Sequence, residues 1–333
     1  MKRTSACAAL LVAACAGPAG TTVDLPDGSP GIGFDDLRYS ERLGRVLVPG
    51  GRSGALDLID PATLEVTSIS GFTAMDDYAG GHDDGVTSVD DNGRWLLATD
   101  RTAGRIEVVD PDQRAIVAGA TLGGHPDYVR WVAETEEAWV TEPGREQIEI
   151  FSLAEDGTPT RTGSVEVDGG PESLVIDPVR HRAYTHLWGG ATVAVDLESR
   201  EVLATWPNGC GGSRGIALDP DLGFLFVACQ DGSLVLLDVA HDGEKLAEVW
   251  PVDGSDVIDY SPALRHVYTA GQISATVAVV GVSSDGELAI LGEQDAALGS
   301  HCVVGDGRGG IYVCDPDEGR ILVRDDAFDP ISE

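Results

Sequence analysis

Lysine is almost missing from this chain: after Lys2 only Lys245 remains, and 22 basic residues face 56 acidic ones, a formal net charge of −34 over 333 residues. A surface this negative repels phosphate backbones and anionic lipid, which argues against nucleic acid and acidic membrane faces as partners. Beyond the first few residues no apolar run reaches 18, so the sequence offers no membrane-spanning helix. Chemical signatures are scarce as well. No glycine-rich loop has P-loop spacing, no Cys-x-x-Cys pair occurs, and the acidic loops lack EF-hand spacing. The glycine-dense stretch Gly209 to Gly215 precedes a strand and gives a nucleotide site little support. Aromatic residues are only 6% of the chain, and the six tryptophans, mostly at strand ends, read as packing.

What the chain does have is 43 glycines, 17 prolines and many short β-branched runs. Gly169 to Trp206 is the clearest unit, with apolar runs Leu174 to Ile176, Ala183 to Thr185, Thr192 to Val195 and Val202 to Thr205. Asp177-Pro178 and Gly189-Gly190 supply the fixed or positive φ that hairpin turns need. The second run recurs ending at residues 49, 99, 141, 186, 228, 270 and 314, spacings of 50, 42, 45, 42, 42 and 44. The third recurs in the same register, from ALDLID at Ala55 to RILVRD at Arg320. Four strands per period of this length define a propeller blade, so the expected fold is all-β: a seven-bladed β-propeller with four-stranded antiparallel blades. The last period lacks an outer strand. Thr21 to Leu25 is unassigned, and is expected to close the ring by pairing outside Arg320 to Asp325.

The N-terminus joins basic Lys2-Arg3 to a short apolar stretch and then Val12-Ala13-Ala14-Cys15, a lipobox-like string. The expected layout is a lipoprotein signal peptide over residues 1–14, a tether over 15–20 beginning at an acylated Cys15, and one propeller domain over 21–333. The alternative is an ordinary secretory signal cut near Ala16 or Ala19. Either exports the protein to the periplasm or outer surface, and the first gives it membrane contact through a lipid anchor only. An oxidising compartment favours cystine, and the repeat places Cys210 with Cys229 and Cys302 with Cys314 across equivalent hairpins of blades five and seven.

The pattern resembles the YVTN-type propeller repeats of YncE-like and lactonase-like extracytoplasmic proteins. The resemblance is carried by Gly-Gly-His-Pro-Asp at 123–127, Gly-Gly-Pro-Glu at 169–172, the turns at Asp177, Asp219 and Ser261, and the recurring strands. It covers essentially the whole mature chain, although the literal YVTN string is absent. Such a fold places the loop leading into each first strand at one mouth of the central channel. That selects His82, His125, Glu172, Arg214, Asp256 and His301 as ligand-binding candidates. The 50-residue spacing leaves an insertion, Gly71 to Gly85, whose Asp76, Asp77, His82, Asp83 and Asp84 offer ligands for Ca²⁺ or Zn²⁺. His181, His241 and His266 read as solvated, and His186 as packed. The leading expectation is a monomeric, exported, non-enzymatic platform that binds a small ligand, a metal or a protein partner at this mouth. The resemblance implies an alternative, a lactonase-like hydrolase with Glu172 or His125 as general base and Arg214 stabilising the oxyanion.

Overall fold

The computed structural model describes residues 20–331. The expected signal peptide, Cys15 and all of the tether before Gly20 lie outside the described residues. Twenty-eight strands form seven antiparallel sheets of four, joined by tight turns and one 3-10 turn at Pro143–Arg145. Blade four contains Val175–Asp177, Arg182–Leu187, Ala191–Asp196 and Val202–Pro207 in spatial order. Blade seven contains Val303–Gly305, Gly310–Asp315 and Arg320–Asp325, and is completed by Thr21–Asp24. The closing register pairs Thr21 with Val323 and Asp24 with Arg320, as the incomplete last repeat requires. Buried Val23 and Leu25 then pack with Ile32, Phe34, Val304 and Tyr312, so closure also stitches blade seven to the segment leading into blade one.

Alternation along each strand sends successive side chains to opposite neighbours, and the core therefore lies between blades. Ala183, Val193 and Val195 of blade four face Trp139, Ile148 and Ile150 of blade three. Tyr184 and Ala194 face Leu225, Val227 and Leu237 of blade five. Each such burial contributes about 1.5–3 kcal/mol, so stability is spread around the ring.

Part of the acidic excess is structural. Asp60, Asp110, Asp177, Asp196, Asp219 and Asp238 each accept the backbone N–H groups two and three residues on, closing turns on the face opposite the mouth. The tail after Asp325 forms no strand but crosses this same face. Asp326 Oδ2 lies 2.7 Å from His266 Nδ1 and accepts from the Tyr268 hydroxyl at 2.8 Å, while the Ile331 N–H donates to the Leu264 carbonyl. His266 is therefore fully buried rather than solvated, because the tail covers it. His186 is packed, 3.0 Å from the Thr192 hydroxyl, and burial lowers its pKa to about 3. The disulfides Cys210–Cys229 and Cys302–Cys314 have Cα separations of 5.5 and 5.6 Å and close the expected hairpins. Both point to an oxidising compartment. Among the described residues no helix is long and apolar enough to cross a membrane.

Candidate active site at the channel mouth

Two sets of loops meet at the mouth: those leading into the first strands, and the turns between second and third strands. The repeat pattern points only to the first set. Close backbone approach brings them together. A Cβ on Gly33 would lie 2.1 Å from the Gly81 carbonyl oxygen, and one on Gly215 would lie 2.2 Å from that of Asp256. These glycines let the chain before blade one press against the 71–85 insertion, and let the first strand of blade five press against that of blade six. The insertion is pinned further by buried Arg52, which donates to the carbonyls of Gly31 and Met75.

A cavity of about 430 Å³ opens here, lined among others by Tyr78, His82, Arg214, Gln230, Asp256, Gln272, His301 and Asp317. His82 Nδ1 is 3.2 Å from buried Asp35 Oδ2, and its ring lies 5.3 Å from that of His301. The Asp35 charge raises His82 to about 10 against the cost of its burial, so His82 is a fixed cation at neutral pH. Burial pushes Asp35 up, but His82, Arg101 and His301 outweigh it and hold the carboxyl below its ordinary value. Both His301 nitrogens face carbonyl oxygens, Gly299 at 2.6 Å and Phe34 at 2.8 Å, which fixes the ring's orientation. Arg101 bridges Asp127 at 2.9 Å and Asp83 at 3.1 Å. Burial, with Asp35 and Glu172 nearby, drives Asp127 well above the usual carboxylate range.

Arg214 and Glu172 form the chemically distinctive part. The Arg214 guanidinium donates to Asp256 Oδ2 at 3.2 Å and stacks 4.3 Å over the Trp188 ring, while its buried Nε has no partner among the described residues. Glu172 is half-buried. Burial first, then the charges of Asp256 and Asp35, push its carboxyl up to about 7; a Trp188 hydrogen bond and Arg214 pull the other way. A carboxyl poised near neutrality beside an arginine with unused donors is what acid–base chemistry at a cleft requires.

The structure thus gathers His82, Glu172, Arg214, Asp256 and His301 at one mouth. His125 stands apart: it is exposed, 3.2 Å from the Arg101 carbonyl, and lines a separate groove with Thr102, Gly124 and Arg145. The expected Ca²⁺ or Zn²⁺ ligands do not assemble. Asp76 and Asp77 are exposed, His82 turns to Asp35, and Asp83 turns to Arg101. Among the described residues the one trio with ligand atoms within 4.8 Å of each other is His301, Cys302 and Cys314, and its two sulfurs are joined as cystine. Arg101, Trp188, Gln230 and Gln272 escaped the sequence reading because they sit in turns between second and third strands. Trp188 is 47% exposed rather than packed within a blade. Gly211-Gly212-Ser213-Arg214-Gly215 also spells G-x-S-x-G. Ser213 is nevertheless fully buried within a strand, hydrogen-bonded to Asn208, with no helix after it, so it is not a nucleophile elbow. A groove of about 560 Å³ elsewhere, near Arg145 and Arg161, holds guanidiniums already bound to Gly123 O and Glu149 and offers no comparable chemistry.

A seven-bladed propeller with a titratable, partly unsatisfied mouth is the class this geometry defines. No family model matches the chain. It is 25% identical over 236 residues to a 6-phosphogluconolactonase of Cronobacter sakazakii (strain ATCC BAA-894), covering 62% of this chain and 68% of that protein. Among solved structures it resembles Kuenenia stuttgartiensis hydrazine synthase, with TM-score 0.71, 14% identity, and 95% and 99% of the two chains covered. It also resembles a chain of a mitotic checkpoint complex, with TM-score 0.74, 15% identity, and 97% and 99% covered. At these identities the structural matches concern the fold alone.

Proposed function

We propose that the mouth is the active site of an exported lactone hydrolase. Glu172 carries the reading, as a carboxyl raised to about 7 beside Arg214 and its unpaired Nε. The Cronobacter 6-phosphogluconolactonase supports it as a distant relative. In the reaction Glu172 carboxylate takes a proton from water as the water oxygen adds to the lactone carbonyl carbon. Arg214 receives the negative charge that develops on the carbonyl oxygen, held in place by Asp256 and Trp188. The ring C–O bond then breaks, the Glu172 proton passes to the departing alkoxide, and a hydroxy acid results. The product ionises in a strongly negative protein, which favours its release. His82 adds a fixed positive charge to the cavity wall, and His125 takes no part. Export with a lipid anchor at Cys15 completes the proposal. Its test is ring opening across a panel of sugar and alkyl lactones with wild type and Glu172→Gln. Turnover abolished by the substitution supports hydrolysis; an inactive wild type whose melting temperature rises with those lactones points to the binding platform instead.

A further inference from the structure

The walls of the cavity and its rim differ in kind. Inside, both cations are already matched by carboxylates, Arg214 by Asp256 at 3.2 Å and His82 by Asp35 at 3.2 Å, and Asp317 adds a further acid. A phosphorylated ligand would bring its negative charges up against those carboxylates within a protein of net charge −34. The interior therefore suits an uncharged polar group.

The rim on the side of blades four to seven sets large apolar groups among exposed acids such as Asp231, Asp253 and Glu318. Trp188, Trp250, Ile273 and Leu298 are 47%, 61%, 67% and 67% exposed, on loops of this one face. A single exposed leucine means nothing, but large apolar groups gathered around a polar cavity do. Three are tied to the lining directly. Trp188 stacks on Arg214. Ile273 and Leu298 each adjoin a lining residue, Gln272 and Gly299, and the Gly299 N–H donates to the Gln272 carbonyl at 2.9 Å, joining the two loops. Ile273 also lies over Gly254, its Cγ1 3.0 Å from where a Cβ there would stand. The rest of the rim carries Asp83, Arg101 and His125, with Met75 alone apolar and exposed. Most other exposed large apolar residues, such as Val117, Val202, Leu203, Leu246 and Ile290, lie on outer strands away from any such cavity.

We infer that the site takes an uncharged lactone bearing an apolar chain, the ring in the polar cavity and the chain across Trp188, Ile273 and Leu298, rather than a phosphorylated sugar lactone. This rests on the hydrolase reading for turnover but makes a separate claim about the ligand. The test is a series of alkyl-substituted δ-lactones of increasing chain length, run beside a phosphorylated gluconolactone and, for binding without chemistry, the matching δ-lactams by calorimetry. Expected is a rise in kcat/KM and in lactam affinity of about two- to fourfold per methylene over the first few carbons. The double variant Ile273→Ser/Leu298→Ser should flatten both slopes, while the outer-strand control Val202→Ser/Leu203→Ser keeps them. A flat wild-type series, or preference for the phosphorylated lactone, overturns the inference and leaves hydrolysis standing. Chain-dependent lactam binding without turnover of any lactone removes the hydrolase reading and retains the ligand class. Absence of lactam binding at every length overturns the inference as well.

Discussion

Arg130 and Arg214 both sit on first strands, both near buried carboxylates, and they are opposites. Arg130 is clamped: it makes a two-pronged pair with Asp36 at 2.6 and 2.8 Å and donates to the Val129 carbonyl, while Ser88 donates a further bond to Asp36. Those contacts tie the leading segments of blades one, two and three into one girdle. Arg214 makes a single hydrogen bond among the described residues and leaves Nε buried and unpaired. A guanidinium locked onto both oxygens of a buried carboxylate holds structure together, whereas one held through a single bond keeps donors in reserve for something that arrives.

The contrast can be broken by experiment. Arg130→Ala strands buried Asp36 and should cost about 3–5 kcal/mol in chemical denaturation; a loss under about 1 kcal/mol would show that the girdle is ornamental. Arg214→Ala should instead lower kcat/KM for ring opening by about 10²–10³-fold. Its melting temperature should move by only a few degrees, because Asp256, already shifted upward by burial, can take a proton once its partner is gone. Replacing both Cys302 and Cys314 by serine should cost about 2–4 kcal/mol, and the Cys210 and Cys229 pair a few tenths more for its longer loop, 19 against 12 residues. The second pair also anchors the hairpin that bears Arg214, so its removal alone should lower kcat as well as stability.

Glu172→Gln gives the smallest effect on stability and the sharpest on pH. The folded value of about 7 exceeds the ordinary 4.5, so the stabilisation is complete below about pH 4.5 and is lost as pH rises through about 7. Glutamine never ionises. The variant should melt a few degrees higher than wild type at pH 8 and equally at pH 4, and the wild-type kcat/KM should climb with pH to a plateau above about 7. A variant that melts lower at pH 8 would contradict the strained carboxyl.

The ring was legible in the sequence because it is repetitive: strand spacing gave seven blades, the missing outer strand gave closure by Thr21–Asp24, and equivalent hairpin positions gave both cystines. The mouth was half legible. Glu172, Arg214, Asp256, His82 and His301 occupy the same place in successive repeats, but their partners do not. Asp35 finds His82 across 47 residues, and Arg214 finds Trp188 from the neighbouring blade. His125 shares the repeat position of the others yet points outward, and the acidic insertion disperses because Asp35 and Arg101 capture its His82 and Asp83. His266 was misread because its cover, Asp326, comes from beyond the last strand. Repeats reveal backbone position, while side-chain pairing between blades leaves no periodic trace.

The closing strand also sets a direction. Thr21 pairs near the end of Arg320–Asp325 that borders the Gly309 turn, and Asp24 near the end that leads from mouth-lining Asp317. The chain therefore joins the ring at the outer circumference of the face away from the mouth. Under the proposed acylation of Cys15, the lipid would therefore be joined to the ring from the face away from the mouth, and the mouth is not the point of attachment.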